Sequence, residues 1–202
     1  MLFDPARHEA LCDTPWDEAS ARAAIRVIVG DICAQFNPHD LWPSHPRERE
    51  DGDAPMPQPM LYSGAAGVIW ALQRLREQGA APVEIDLAPI VAGLHEHSQR
   101  WIATNESEQA SYFLGHSGVL LLQWKWQHSD ATADALFALV EGNLHNKALE
   151  ALWGSPGTLI AALHMLEATQ EPRWHALFRH GVDVLWQQMR PVRKRSGNPS
   201  FA

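Results

Sequence analysis

The sequence predicts an all-α fold built of helical hairpins, and three observations predict it. A Gly-x-x-Gly followed by an apolar run occurs three times, at Gly64–Gly67, Gly115–Gly118 and Gly154–Gly157. The stretches between these motifs carry apolar residues at helical spacing on one face, which marks helices lying on the outside of a core. No segment has the period-two alternation of a strand. The first glycines of the three motifs stand 51 and 39 residues apart. That spacing is within or just beyond the range for one supersecondary unit copied along a chain.

Each element can be justified in order. Thr14-Pro15-Trp16-Asp17 opens the first helix, with Thr14 as cap and Pro15 in the first turn. Its apolar stripe is Ile25, Ile28, Val29, Ile32 and Phe36. Residues 37–59 hold six prolines in 23 positions and cannot be helical. The Gly64 motif opens the first inner helix, where Val68 to Leu75 are apolar nearly all round. An outer stripe of Ile90, Leu94, His97 and Trp101 follows. The Gly115 motif opens the second inner helix, through Val119 to Trp124, and Asp130 caps a shorter outer helix with Leu136, Leu139 and Val140. The Gly154 motif opens the third inner helix. Pro172 then starts an outer helix striped by Trp174, Leu177, Phe178, Gly181, Val182, Leu185 and Met189. Beyond Met189 a basic run, Arg190, Arg193, Lys194 and Arg195, leads into Ser-Gly-Asn-Pro-Ser and reads as unstructured. The chain thus divides into an N-terminal helical segment (1–36), a proline-rich loop (37–59), three hairpins (60–190) and a tail (191–202).

Two glycines three apart share one helix face and permit close backbone approach, while each costs about 1 kcal/mol against alanine in a helix interior. Their threefold recurrence therefore signals a packing requirement. A phosphate-cradling reading fails, because no Lys-Ser/Thr follows and no strand precedes. Net charge is −8, from 16 Lys and Arg against 24 Asp and Glu. That balance argues against a nucleic-acid partner, whose grip depends on clustered cations. No apolar run approaches the roughly 20 residues of a membrane span, and the first residues lack the order of a secretory signal, so a cytoplasmic location is expected. Cys12 and Cys33 are the only cysteines. Their spacing fits no short zinc motif, and both read as small core residues.

The three motifs together resemble the lanthionine synthetase C-like (LanC-like) family. Leu61-Tyr-Ser-Gly-Ala-Ala-Gly-Val looks like that family's first inner-helix opening, and Tyr112-Phe-Leu-Gly-His-Ser-Gly-Val like its second. Asn146-Lys-Ala-Leu-Glu150-Ala-Leu-Trp-Gly154-Ser-Pro-Gly157-Thr is similar to its glutamate followed by aromatic-Gly-x-x-Gly at the third. The resemblance covers roughly residues 60 to 190. It implies an α/α toroid, here an incomplete ring of about seven helices, the family's full ring having seven inner and seven outer helices. It also implies zinc-dependent addition of thiols, from a peptide cysteine or from glutathione, to dehydroamino acids. A zinc-bound thiol is held as thiolate, the nucleophile such an addition needs.

The family's zinc ligands, two cysteines and a histidine, stand in the two positions before the Gly-x-x-Gly of later repeats. The matching pairs here are Tyr62-Ser63, Phe113-Leu114 and Leu152-Trp153, which contain neither residue type. Zinc is therefore expected only in a complete member, and this chain is expected to have no catalytic or metal residue and no activity alone. The length reads as a truncated or frameshifted half. Its open hairpin ends are expected to self-associate. The alternative function is a non-catalytic scaffold binding a peptide or protein partner.

Other candidates have plainer readings. His95 and His97 are two apart and point to different sides of a helix, so they cannot share an ion. His116, inside the second motif, and Trp153, at the rim of the third, are the two candidates for substrate contact; His116 also reads as a hydrogen-bonded helix-end histidine. His164 falls on the face of Gly157 without a matching carboxylate or thiol, and Glu150 reads as a brace for the third inner helix. The nine tryptophans read mainly as core and hairpin packing, with Trp16 and Trp42 flanking the first helix and the proline-rich loop and Trp153 alone at a rim position. A sugar-binding toroid would need paired acids at the inner rim, where Glu150 stands alone.

Overall fold

The computed structural model describes residues 15–42, 58–105, 109–189, 192–193 and 199–200. Among them the fold is helical throughout: α1 (Glu18–Gln35), α2 (Ala65–Glu77), α3 (Leu87–Asn105), α4 (His116–Trp126), α5 (Asp130–Gly142), α6 (Ser155–Thr169) and α7 (Pro172–Gln188). The segment read as an unstructured tail contributes one minimal exception, an antiparallel pairing of Val192–Arg193 with Pro199–Ser200. No helix among the described residues is long and apolar enough to cross a membrane.

The helix starts differ in detail from the sequence expectation. Asp17 caps α1, its carboxylate accepting from the backbone N–H of Ala19 (3.3 Å) and Ser20 (2.9 Å). A carboxylate is the stronger cap because it accepts two orphan N–H groups at once and meets the positive helix end. Pro15 therefore lies before the helix, and Thr14 lies outside the described residues. At α5 the cap is Ser129, whose hydroxyl accepts from the Thr132 N–H at 3.4 Å. Asp130 moves into the first turn, where its charge complements the helix dipole. Pro172 stands in the first turn of α7, as its fixed φ favours.

Contacts run from α2 to α4 to α6, the helices that follow the glycine motifs and form an inner row, with α3, α5 and α7 packed beside them. α4 touches α2 on one side and α6 on the other, while α3 and α5 flank it and α7 packs on α6. A helix enclosed on so many sides has to be apolar all round, and in α4 His116 to Leu122 and Trp124 are buried. Two cores result. Val119 and Leu122 of α4 join Val29, Ile69, Leu72, Leu87, Val91 and Leu94 in the first. Leu120, Leu121 and Trp124 join Leu136, Val140, Met165, Trp174 and Leu177 in the second.

The outer stripes hold in part: in α7 Trp174, Leu177 and Gly181 are buried, but Val182 and Met189, expected in the stripe, are exposed and Val184 is buried instead. In α3 the buried line runs Leu87, Val91, Leu94, Ser98 and Ile102, so Ser98 replaces His97 and is fully buried. In α1 only Val29 is buried, and Ile28, expected in the stripe, is 57% exposed. Trp42 ties this helix down by donating its Nε1–H to the Ile32 carbonyl at 2.9 Å. Cys33 is half-buried at the edge of the first core; Cys12 lies outside the described residues.

The tryptophan expectation needs correction. Trp124 and Trp174 are buried, but Trp16, Trp70 and Trp186 are exposed, Trp186 at 74%.

Candidate site at the inner-helix rim and cleft

The three inner helices begin at one shared structure, a turn that wraps back onto the first residues of its own helix. A Cβ placed on Gly64, Gly67, Gly118, Gly154 or Gly157 would fall on the carbonyl oxygen of the residue six earlier: Gln58, Leu61, Tyr112, Ala148 and Ala151 respectively. Close approach is thus the reason for glycine, as the spacing suggested, and the partner is the preceding turn. Gly64 (φ −137°) and Gly154 (φ −101°) have extended backbones open to any residue, so room and not conformation excludes a side chain. The turn also satisfies helix-end donors. Ala65 N–H reaches Gln58 O at 2.7 Å, and His116 N–H reaches Gln109 O at 2.8 Å.

Neighbouring turns are joined to one another. Tyr62 N–H donates to Phe113 O at 3.0 Å, and Ser111 Oγ donates to Leu152 O at 2.6 Å. Phe113 and Leu152 occupy the same place in their motifs, two before the first glycine. Inside the turns, Ser111 Oγ accepts from Leu114 N–H at 2.9 Å. Glu150, three before Trp153 as Ser111 is three before Leu114, accepts from Leu152 N–H (2.7 Å) and Trp153 N–H (2.6 Å). Glu150 is thereby a brace of the third turn, the role expected for it.

His116 follows the second turn and is only 8% exposed. Its Nδ1 lies 2.8 Å from Ser98 Oγ, and Ser98 itself donates to the His95 carbonyl at 2.9 Å. With the single hydroxyl hydrogen used, His116 Nδ1 must carry the hydrogen of the shared bond. The His95 and His116 rings meet edge to face, centroids 5.3 Å apart. Burial, with the neighbouring His95 adding to it, lowers the His116 pKa to about 4. His116 is thus the hydrogen-bonded helix-end histidine; Trp153 is 43% exposed at the rim. The structure does not bring the two together in a hydrogen bond or ring contact.

Below the rim a cleft of about 1300 Å³ runs across the inner row. Its lining includes Tyr62 and Trp70 from the first repeat, Phe113 and Lys125 from the second, and Ile160 and His164 from the third. Tyr62 is 70% and Trp70 51% exposed. The exposure of Trp70 on the cleft was missed in the sequence, where an aromatic in an apolar run reads as core. His164 does have a carboxylate near it, Glu167 one turn on at 3.9 Å. Burial lowers its pKa, with Lys125 acting in the same direction and Glu167 against it.

The described residues do not fit the zinc site that the resemblance implies. The pairs before the glycines offer no nitrogen or sulfur donor, and Ser63 Oγ is bonded to Gln58 at 2.7 Å. No three His, Cys, Asp or Glu side chains converge among the described residues. Comparison of the chain with protein-family models gives no match, and comparison with curated proteins gives none either.

Proposed function

We propose that the chain forms the first hairpins of a lanthionine synthetase C-like α/α toroid and works as its substrate-holding wall. In that reading, thiol addition to dehydroamino acids belongs to the complete family member, with zinc held by later repeats. This chain's own contribution is a bed for the peptide. The observation that carries it is the same turn built three times, glycine against the carbonyl six earlier, with successive turns bonded along one rim. Hairpin repeats that share one inner row are the architecture a toroid requires.

A second reading, a non-catalytic scaffold for a peptide or protein partner, is favoured by the cleft, whose exposed aromatics offer apolar contact without any metal. One experiment addresses both. The purified chain is titrated with a fluorescent peptide containing dehydroalanine and cysteine, with and without zinc, following anisotropy and thioether formation. Expected is zinc-independent binding, weakened about tenfold by Trp70→Ala, with no thioether formed. Zinc retained at one per chain and lost in His116→Ala would overturn the placing of ligands in later repeats. Binding unaffected by Trp70→Ala would remove the cleft from both readings.

Self-association belongs to the same proposal. α7 and the Met189 that caps its end expose Val182 (44%), Trp186 (74%) and Met189 (45%) at positions four and three apart, an apolar line suited to a neighbouring helix.

A further inference from the structure

Two pairs of buried polar side chains join helices among the described residues: Asn143, at the end of α5, donates to Thr158 of α6 at 3.3 Å, and a second set links α3 to α4. Ser98 is fully buried in α3 and His116 nearly so at the first position of α4. The Nδ1–H of His116 donates to Ser98 Oγ at 2.8 Å, Ser98 donates to the His95 carbonyl at 2.9 Å, and the two imidazoles stand edge to face at 5.3 Å. We propose that His95, Ser98 and His116 form an acid-released clasp that fastens α3 to the N-terminal end of α4.

The clasp is built for neutral rings. Its tautomer leaves the His116 Nε2 lone pair as the place where a proton would add. No hydrogen bond to that atom comes from the described residues, so no described carboxylate would meet the new charge. Three effects oppose it: loss of hydration, a second imidazole at 5.3 Å, and the positive end of the α4 dipole.

The titratable neighbours agree. On α3, Glu96 is exposed and lies 4.0 Å from Arg100, and His97 is half-buried. Tyr112, in the turn before α4, is neutral at any relevant pH because burial raises its pKa. Among the described titratable groups, His95 adds to burial in lowering the His116 pKa.

The direction of the pH effect follows. The folded pKa of His116, about 4, lies below the ordinary histidine value of 6.5. Stability from the neutral ring is complete above pH 6.5 and is lost as pH falls toward 4. Each unit of separation is a factor of ten, so the loss approaches about 300-fold in the folding equilibrium. His95, lowered by burial as well, shifts in the same sense.

The test is hydrogen exchange and histidine NMR on the intact chain between pH 7.5 and 4.5, in wild type and His116→Asn. Asparagine keeps an N–H donor near the Nδ1 position and does not titrate. Expected is a His116 titration well below 6.5, with exchange, corrected for its intrinsic pH dependence, accelerating in α3 and the first turn of α4 ahead of α6 and α7. His116→Asn should lose most of that acceleration. A His116 pKa at or above 6.5 overturns the proposal, and the NMR titration needs no variant to fold. Acceleration spread evenly over all helices, or equal in wild type and His116→Asn, overturns it too.

Discussion

Ser155 and His116 occupy one position of the repeat, the residue after the first glycine, and the first repeat has Ala65 there. All three are buried. His116 has Ser98 as partner, whereas the Ser155 hydroxyl has none among the described residues. A buried hydroxyl without a partner costs about 1 kcal/mol or more. Ser155→Ala should therefore raise stability by about 1 kcal/mol, seen as a higher urea midpoint with unchanged slope. A lower midpoint would mean that the hydroxyl is satisfied by bound water. At this scale the sequence was least legible. Ser98 carries no signal that separates it from an exposed serine, since its burial depends on a histidine 18 residues away. Trp70 and Trp186 look like core residues because periodicity reports apolar character and not which neighbour covers it. His116 and Glu150 were readable, because both roles follow from standing beside a helix start.

Helix starts show how local rules compete. Thr14-Pro15 and Asp130 both satisfy the preferences of a helix opening, yet Asp17 and Ser129 cap the helices. Cap chemistry alone does not rank two candidates a few residues apart. The glycine motifs were legible because a costly residue repeated at one place must answer a packing need, and the answer distinguishes glycines from one another. A Cβ on Gly154 would fall on the Ala148 carbonyl, whereas a Cβ on Gly93, within α3, meets nothing within 4 Å. Gly154→Ala should cost about 3 kcal/mol or prevent folding. Gly93→Ala should stabilise by roughly 0.5–1 kcal/mol through helix propensity and reduced unfolded-chain entropy. Denaturant midpoints of the two variants check this pair; equal shifts would refute the distinction.

At the level of the whole molecule, α4 belongs to both cores and touches four other helices, while α1 buries only Val29. Stability in a repeat array is carried by nearest-neighbour interfaces, so protection should follow the number of covered faces. Backbone amides of α4 should exchange slowest and those of α1 fastest at neutral pH, by mass spectrometry of proteolytic fragments. Uniform protection across α1 to α7 would refute this order. Leu120→Ala, in α4, should cost about 2–5 kcal/mol as a buried truncation. The all-helical fold and the order of its elements were legible because outer stripes and enclosed runs alternate along the chain. The two-core division was not, since it depends on which side of α4 each leucine takes.

The glycine contacts have a consequence for how such a chain drifts over evolutionary time. Each of the five motif glycines Gly64, Gly67, Gly118, Gly154 and Gly157 meets a main-chain oxygen, which every amino acid supplies, and the five residues providing it are a glutamine, a leucine, a tyrosine and two alanines. Selection acting on this contact thus constrains one partner and leaves the other free to vary. Two descendants could keep an identical backbone at every rim turn while sharing little there but the glycines, so ancestry would fade from their sequences well before it faded from their shape.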